Sequence, residues 1–145
     1  MTQIIIGRKE KADFPDFGLK NILVKIDSGA YTSSIDCQSV ELIEEDGNTF
    51  VEVQFLNSSR TEATDEKIRF SIFKSKKVKS STGKSEVRYF IPGRIILFNN
   101  EYNTYFSLSK RSGMKAPVLL GRKLLNKNFL IDTNHVYLSN NLIKK

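Results

Sequence analysis

Residues 25–35, KIDSGAYTSSI, place a single aspartate at the exit of an apolar run. The five residues before it, ILVKI at positions 22–26, have the composition of a mostly buried strand. Asp27 follows that strand directly, and Ser28, Gly29 and Ala30 come next. A carboxylate that ends a strand and precedes a glycine is either a turn residue or a catalytic acid. The rest of the sequence has to decide between these two interpretations.

The composition is that of an ordinary globular protein, and we expect residues 1–145 to form one domain with one hydrophobic core. The chain is 39% hydrophobic and 27% charged. Its longest apolar runs have the length of strands, so we expect no membrane partner. The first apolar run precedes the first basic run, the reverse of a secretory signal, and the single Cys37 has no disulfide partner within the chain. A cytoplasmic location is therefore expected.

Alternation of apolar and polar residues recurs along most of the chain and predicts half-buried antiparallel strands. It is clearest at residues 51–55, 68–72, 87–91 and 102–108. Turn signals separate these segments at DGN (46–48), SSTG (80–83), PG (92–93) and NN (99–100). Residues 57–66 are polar and predict a surface loop, and the only predicted helix is short, at residues 122–127. The pattern indicates an all-β fold that is closed or partly closed into a barrel.

Positive charge is concentrated in one segment. The net charge is +7, from 23 Lys and Arg against 16 Asp and Glu. Between residues 67 and 94 the only acidic residue is Glu86. The segment is either a solvated strand face or a contact surface for an acidic partner such as nucleic acid, an anionic membrane or an acidic polypeptide.

The sequence contains neither a complete phosphate-binding loop nor a metal-site motif, and no cofactor is predicted. The GKS at residues 83–85 resembles part of a phosphate-binding loop, but Val78 stands where that loop needs its first glycine, so a hairpin tip is favoured. His135 and Cys37 are single and far apart in the chain, which predicts no metal site. The segment LIDTN, residues 130–134, repeats KIDSG without the glycine, and Asp132 is therefore interpreted as a strand-end or turn residue.

The tetrapeptide at residues 27–30 has the form D-[ST]-G-[AS] and resembles the active-site signature of aspartic proteases. APVLLGRKLL, residues 116–125, resembles the C-terminal segment of retroviral-type aspartic proteases, where an apolar strand runs beside the catalytic loop. Adding VKSSTGKSEVRYFI (78–91), SLSKRSGMKAPVLLGRKLL (107–125) and FLIDT (129–133), the chain resembles a bacterial retropepsin-like family of RimB type over about residues 4–138. Members are often labelled ATP-dependent zinc proteases, although this sequence supplies no residues for either zinc or ATP.

The resemblance implies a retropepsin-like barrel and a homodimer. Asp27 of each subunit would meet at the two-fold axis, where the pair shares one proton and activates a water. Ser28 would hydrogen-bond across the axis, Gly29 would admit the substrate backbone, and Ala30 would keep the turn compact. Gly121 and Arg122 would support this loop.

Two features depart from or extend the retroviral pattern. Retroviral enzymes carry an acid after the signature that pairs with the arginine, whereas this chain has Tyr31, so Arg122 needs another partner, with Asp36 as a candidate. The hairpin at residues 76–89 is interpreted as the flap that covers the cleft. Its predicted substrate-contacting residues are Lys79, Ser81, Thr82, Gly83, Lys84 and Arg88.

Positive charge over a cleft suggests an acidic peptide substrate. The resemblance agrees, since RimB-type members are associated with RimK-type glutamate ligases and act on polyglutamate tails of a ribosomal protein. One alternative is a non-catalytic basic β-barrel that binds RNA or ribosome, with its ten Phe and five Tyr as stacking platforms. Another is a degenerate protease fold that only mediates dimerisation.

Overall fold

The computed structural model of the protein describes residues 3–79, 82–110 and 113–139. A 3-10 helix spans Pro15–Phe17, and a four-residue α-helix, α1, spans Arg122–Leu125. The strands are β1 (Ile4–Gly7), β2 (Lys9–Phe14), β3 (Leu19–Ile26), β4 (Ser33–Glu45), β5 (Asn48–Phe55), β6 (Ile68–Phe70), β7 (Lys74–Lys79), β8 (Ser85–Leu97), β9 (Asn100–Ser109), β10 (Val118–Leu120) and β11 (Phe129–Asp132). No helix among the described residues has the length and apolar composition needed to cross a bilayer.

Six of these strands close into a barrel, which confirms the predicted all-β fold closed into a barrel. Their order is β10-β3-β2-β8-β9-β4, and β4 pairs back to β10. The closing strand β10 is parallel to β3 and antiparallel to β4. Outside the ring, β5 and β6 extend the sheet from β4, and β7 forms a hairpin with β8. The β1 and β11 strands form a separate parallel pair.

Five phenylalanine rings pack together within a core that is otherwise mostly aliphatic. Phe17 stacks on Phe55 with ring centroids 4.5 Å apart. The edges of Phe70 and Phe106 meet Phe17 at 5.8 and 5.6 Å, and Phe14 stacks on it at 6.1 Å. Burial of one such ring stabilises the fold by roughly 1.5–3 kcal/mol. Because these five rings pack against one another, they do not provide the base-stacking surface that the RNA-binding alternative invoked.

Two of the predicted turns are tight hairpin turns between consecutive strands, the second one residue earlier than predicted, because Asn100 already belongs to β9. Asp46 and Gly47 both have positive φ, 53° and 79°, between β4 and β5. Phe98 and Asn99 have φ of 53° and 61° between β8 and β9. Consecutive left-handed residues are the type I′ geometry that matches strand twist. The predicted loop at residues 57–66 is also confirmed, since it joins β5 to β6 without a strand.

The prediction of a turn at Pro92 and Gly93 was wrong, because both residues lie inside β8. Pro92 falls between the last residue of β8 that pairs with β7, Phe90, and the residue that pairs with β2, Ile96. A missing backbone donor is tolerated on that side of the strand. Gly93 is present for packing, since a Cβ there would lie 2.9 Å from Cε1 of Phe17. The helix is also shorter than predicted, because Asn126 is extended and Lys127 is left-handed.

Replacing Gly93 by alanine should destabilise the barrel, because the new methyl group overlaps the Phe17 ring at the centre of the aromatic core. We expect the free energy of unfolding to fall by about 1–3 kcal/mol, as overpacking a core typically does. Urea or thermal unfolding measures the change. Gly113→Ala is the matched control, since a Cβ at Gly113 meets no atom of the described residues within 4 Å. Equal stability of the two variants would contradict the packing explanation for Gly93.

Candidate active site

Asp27 stands where β3 leaves the barrel, and its backbone is fixed by the closing strand. β3 ends at Ile26, and the N–H of Asp27 donates to the carbonyl of Leu120 at the end of β10 (2.9 Å). Since β10 lies between β3 and β4, the connection between those strands must cross the end of β10. Asp27 therefore lies in the connection between β3 and β4, residues 27–32, which crosses the end of β10 and is called the arch here.

The arch closes as a tight loop around the Asp27 carboxylate. The N–H of Gly29 donates to Oδ1 of Asp27 at 2.8 Å, and the N–H of Ala30 donates to the Asp27 carbonyl at 3.3 Å. A Cβ on Gly29 would lie 3.1 Å from that Oδ1, closer than side chains normally approach, so a glycine suits this position. Asp27 is half-buried, whereas Ser28 and Gly29 are exposed. The loop presents its backbone and one carboxylate edge to the outside.

The Gly121-Arg122 segment meets this loop through backbone contacts. The N–H of Gly121 donates to Oγ of the buried Ser33 at 3.1 Å. The first free N–H groups of α1 donate to loop carbonyls, Arg122 to Ala30 at 2.8 Å and Lys123 to Tyr31 at 2.9 Å. The structure thus brings both predicted supporting residues, Gly121 and Arg122, against the loop that carries Asp27.

The Arg122 side chain contacts the loop rather than the predicted carboxylate. Its Nη1 donates to the Ser28 carbonyl at 2.9 Å, and its guanidinium lies 5.8 Å from the Tyr31 ring centroid. A ring face thereby takes the place of the retroviral acid. Asp36, the candidate partner, is fully buried and pairs with Arg60 at 2.7 Å. The expected Arg122–Asp36 contact was wrong because Asp36 faces the loop after β5.

The β7–β8 hairpin lies over one side of the Asp27 loop and leaves a cavity of about 330 Å³ between them. Ala30, Thr32 and Ser34 line it from the loop and the start of β4. The facing residues of the hairpin include Lys76, Val78, Arg88 and Phe90. Arg88 is therefore the predicted flap residue that the structure brings to this cavity.

The other predicted flap residues that the structure describes lie farther out on the hairpin. Lys79 ends β7, and Gly83 has φ of +83°, as a hairpin tip requires. Thr82 and Lys84 flank that glycine and are exposed. Ser81 lies outside the described residues, so the hairpin is confirmed as a structure while its contact with substrate stays a prediction.

A second cavity, of about 260 Å³, adjoins the first and contains residues that the motifs did not single out. It shares Thr32, Lys76 and Phe90 with the first cavity. Its remaining lining residues are Lys74, Ser75, Tyr105 and Lys123. The position of Lys123 directly after Gly121-Arg122 was an available signal, but its meeting with Tyr105 depends on the tertiary fold.

The described residues do not fit the zinc site that the protease label suggests. Cys37 is fully buried, and desolvation by burial raises the pKa of its thiol far above the usual range. Nδ1 of His135 instead lies 2.7 Å from Oδ2 of Asp132. Asp132 also accepts the N–H of Asn134, which together with His135 lowers the pKa of this carboxyl. Within the described ranges, no three His, Cys, Asp or Glu residues cluster as a metal site would need.

Comparison with known proteins agrees with this geometry. The profile of a family described as RimB-like, retropepsin-like aspartic endopeptidase RimB, matches residues 5–141. A crystal structure of a Legionella pneumophila protein of unknown function superposes with a TM-score of 0.68 over 95% of this chain and 99% of that chain. Its sequence identity is 22%, so this similarity concerns the fold.

Curated relatives carry a different name. A probable alpha-L-glutamate ligase of Shewanella pealeana is 29% identical over 136 residues, which are 94% of this chain and 30% of that protein. A protein of the same name from Desulfotalea psychrophila is 30% identical over 128 residues, 88% of this chain and 28% of that protein. The chain thus spans less than a third of the length of these relatives.

Replacing Gly121 by alanine should disturb the Asp27 loop, because a Cβ there would lie 2.7 Å from the Tyr31 carbonyl oxygen and 2.9 Å from that of Ala30. Both obstacles are backbone atoms, so the loop or α1 has to move. We expect about 1–3 kcal/mol of lost stability and shifted amide NMR signals at residues 27–31. Gly113→Ala again serves as control. Unchanged loop signals in Gly121→Ala would argue against support of the loop by this junction.

Proposed function

The chain belongs to the RimB-like family of retropepsin-like aspartic endopeptidases, and on that premise we propose that it hydrolyses peptide bonds with a water activated by Asp27. The observation that carries the proposal is the placement of Asp27 at the end of β3, on a glycine loop held by Leu120 and Arg122. The adjoining cavity under the β7–β8 hairpin offers space for a peptide. A cytoplasmic location belongs to the same proposal, because the single cysteine is a buried free thiol.

Catalysis by this loop requires a second carboxylate, and a second copy of the chain would supply it. The Asp27 carboxylate accepts a hydrogen bond from the N–H of Gly29. In the described part of one chain, no second carboxyl group is hydrogen-bonded to it. A two-fold axis brings the same patch of each subunit together, so one exposed loop would meet its equal. The exposure of Ser28, Gly29 and Tyr31 supports this arrangement, since the loop is accessible to another copy.

An apolar pair near the loop also supports a homodimer. Ile5 and Leu130 are register partners in the β1–β11 pair and are 53% and 54% exposed. The β1–β11 pair lies beside β3, the strand that ends just before Asp27, because the N–H of Ile26 donates to the carbonyl of Arg8, directly after β1. Adjacent exposed apolar side chains commonly mark contact surfaces.

The chemistry follows from two carboxyl groups about 3 Å apart that share one proton. The ionised carboxylate takes a proton from a water, whose oxygen bonds to the peptide carbonyl carbon. The protonated carboxyl donates its proton to the carbonyl oxygen. Collapse of the tetrahedral intermediate breaks the C–N bond, and the amine leaves with a proton from the pair. The two protonation steps belong to the pair rather than to either residue.

The proposed substrate is an acidic peptide, with an α-linked glutamate tail, such as that of a ribosomal protein, as the leading case. The hairpin carries Lys74, Lys76 and Arg88 on the side that faces the cavity. The names of the longer relatives concern the joining of glutamate, which suggests that this segment can occur beside an enzyme that makes such chains. Attraction of this kind weakens with ionic strength, so cleavage of an acidic peptide should slow in high salt.

Asp27→Asn should abolish cleavage of an α-linked glutamate oligomer, because the amide can neither share a proton nor accept one from water. Mass spectrometry of the digest gives the readout. We expect a loss of at least about 10³-fold in kcat, since general acid–base catalysis alone contributes up to about 10⁴-fold. Asp132→Asn is the matched control: it removes the other strand-end aspartate, which binds Asn134 and His135, and should leave cleavage intact.

Equal cleavage by wild type and Asp27→Asn would refute the assignment of Asp27. If wild type cleaves no peptide but binds RNA in a salt-dependent way that survives Asp27→Asn, the basic-barrel alternative would gain support. Binding and cleavage are measured on the same preparations, so loss of folding is visible in both.

Mixing the subunits tests whether each one supplies a single aspartate. With equal amounts of wild type and Asp27→Asn allowed to exchange, about a quarter of the random dimers carry two Asp27 residues. Activity should fall to about a quarter of that of the same total of wild type. A subunit that works alone would retain about half. Sedimentation of tagged and untagged subunits confirms that exchange has occurred.

A further inference from the structure

We propose that the cavity beside Tyr105 is a carboxylate-binding subsite that selects the substrate, with Lys74 and Lys123 as its specificity-determining residues. This inference rests on the proposed function for its substrate. It concerns residues outside the D-S-G-A loop and outside the tip of the hairpin. The ligand is a single carboxylate, carried either by an acidic side chain or by the free end of a peptide.

Separate elements direct ammonium groups to the same tyrosine ring. Nζ of Lys74, from β7, lies 4.4 Å from the centroid of the Tyr105 ring, and Nζ of Lys123, from α1, lies 5.4 Å from it. Lys76 lines the cavity from the same face of β7 as Lys74, two residues along the strand. The half-buried Tyr105 ring attracts both ammonium groups through cation–π contacts. The result is a small cavity with three positive groups.

No acidic side chain among the described residues neutralises the positive charge of this cavity. The lining residues include no Asp or Glu. In the described part of the chain, none of the three lysines takes part in an ion pair. Lys76 also stands directly opposite Arg88 in the β7–β8 register, and like charges in that relation destabilise a hairpin. A bound carboxylate would offset this repulsion.

The position of the cavity links it to the catalytic loop. It shares Thr32, Lys76 and Phe90 with the cavity that reaches Ala30, three residues after Asp27. The backbone of Lys123 is itself bonded to the arch, through its N–H to the Tyr31 carbonyl. A carboxylate held here therefore belongs to a residue close to the scissile bond. Its charge would fix how the peptide is placed along the cleft.

The test measures binding in the Asp27→Asn background, so that it does not depend on turnover. Isothermal titration at low salt measures the Kd of a short α-linked glutamate oligomer for two proteins. The parent is Asp27→Asn, and the double variant carries Lys74→Met and Lys123→Met in addition. Methionine keeps most of the aliphatic stem and removes the charge. The double change should raise Kd roughly tenfold or more, the loss expected for charge-assisted hydrogen bonds. Lys77→Met is the matched control, because Lys77 lies on the opposite face of the same strand.

Two further peptides identify the source of the carboxylate. If a side chain fills the subsite, a glutamine oligomer with a free end should bind equally well to the parent and to the double variant. If the terminal carboxylate fills it, the amidated glutamate oligomer should instead bind the parent and the double variant with the same Kd. Either result supports the subsite. The same Kd ratio for all three peptides, or no saturable binding of the glutamate oligomer, would overturn it.

The cleavage assay separates this inference from the proposed function. Wild type that cleaves nothing, together with lysine-dependent binding, would remove the peptidase and leave the subsite. Efficient cleavage by the double variant with an unchanged KM would leave the peptidase and remove the subsite. If both hold, the double variant should raise KM for the glutamate oligomer and leave KM for a neutral peptide with an amidated end unchanged.

Discussion

The insertion of β10 between β3 and β4 is the constraint on which the rest of the molecule depends. Three residues, Val118–Leu120, hydrogen-bond to both neighbours and close the six-stranded ring. Because β3 and β4 are consecutive in the chain, their connection has to cross the end of β10. The same short strand thus closes the core and fixes the place where Asp27 leaves the sheet, through the bond to Leu120. Closure of the barrel and the position of Asp27 therefore both depend on β10.

Charge is distributed so that the loop with the Asp27 carboxylate adjoins cavities lined by several cations. Asp27 is the acidic group of the arch, whereas the neighbouring cavities are lined by Lys74, Lys76, Arg88 and Lys123. Arg88 is partly balanced by Glu86 at 3.0 Å, but that pair is exposed and worth little. An extended acidic peptide would meet complementary charge on the hairpin and on α1. A neutral peptide would leave those cations unsatisfied, so under the proposed function the cleft would favour acidic chains by a difference in affinity.

Local signals in the sequence predicted the barrel and the arch, while long-range packing decided the rest. The meeting of D-S-G-A with G-R at Asp27 was expected from the resemblance to retropepsin-like proteases, and the structure shows close contacts at both glycines, Gly29 beside Oδ1 of Asp27 and Gly121 beside the carbonyls of Ala30 and Tyr31. The strand position of Gly93 could not be predicted, because it depends on Phe17, far away in the sequence. The contact of Arg122 with Tyr31 and the pairing of Asp36 with Arg60 depend in the same way on side-chain packing. Nor does alternation reveal that β7, α1 and β9 converge at Tyr105.

The two sides of the lysine cavity differ in how firmly they are held, and this difference connects recognition to the hairpin. Lys123 belongs to α1, whose first N–H groups are bonded to the arch. Lys74 and Lys76 belong to β7, which pairs only with β8 among the described strands. Without an anion the like charges of these ammonium groups oppose one another across Tyr105. A carboxylate between them would draw the root of the hairpin toward α1. Under the proposed function, an acidic peptide bound there would contact both β7 and α1, whereas a neutral peptide would lack these charged contacts.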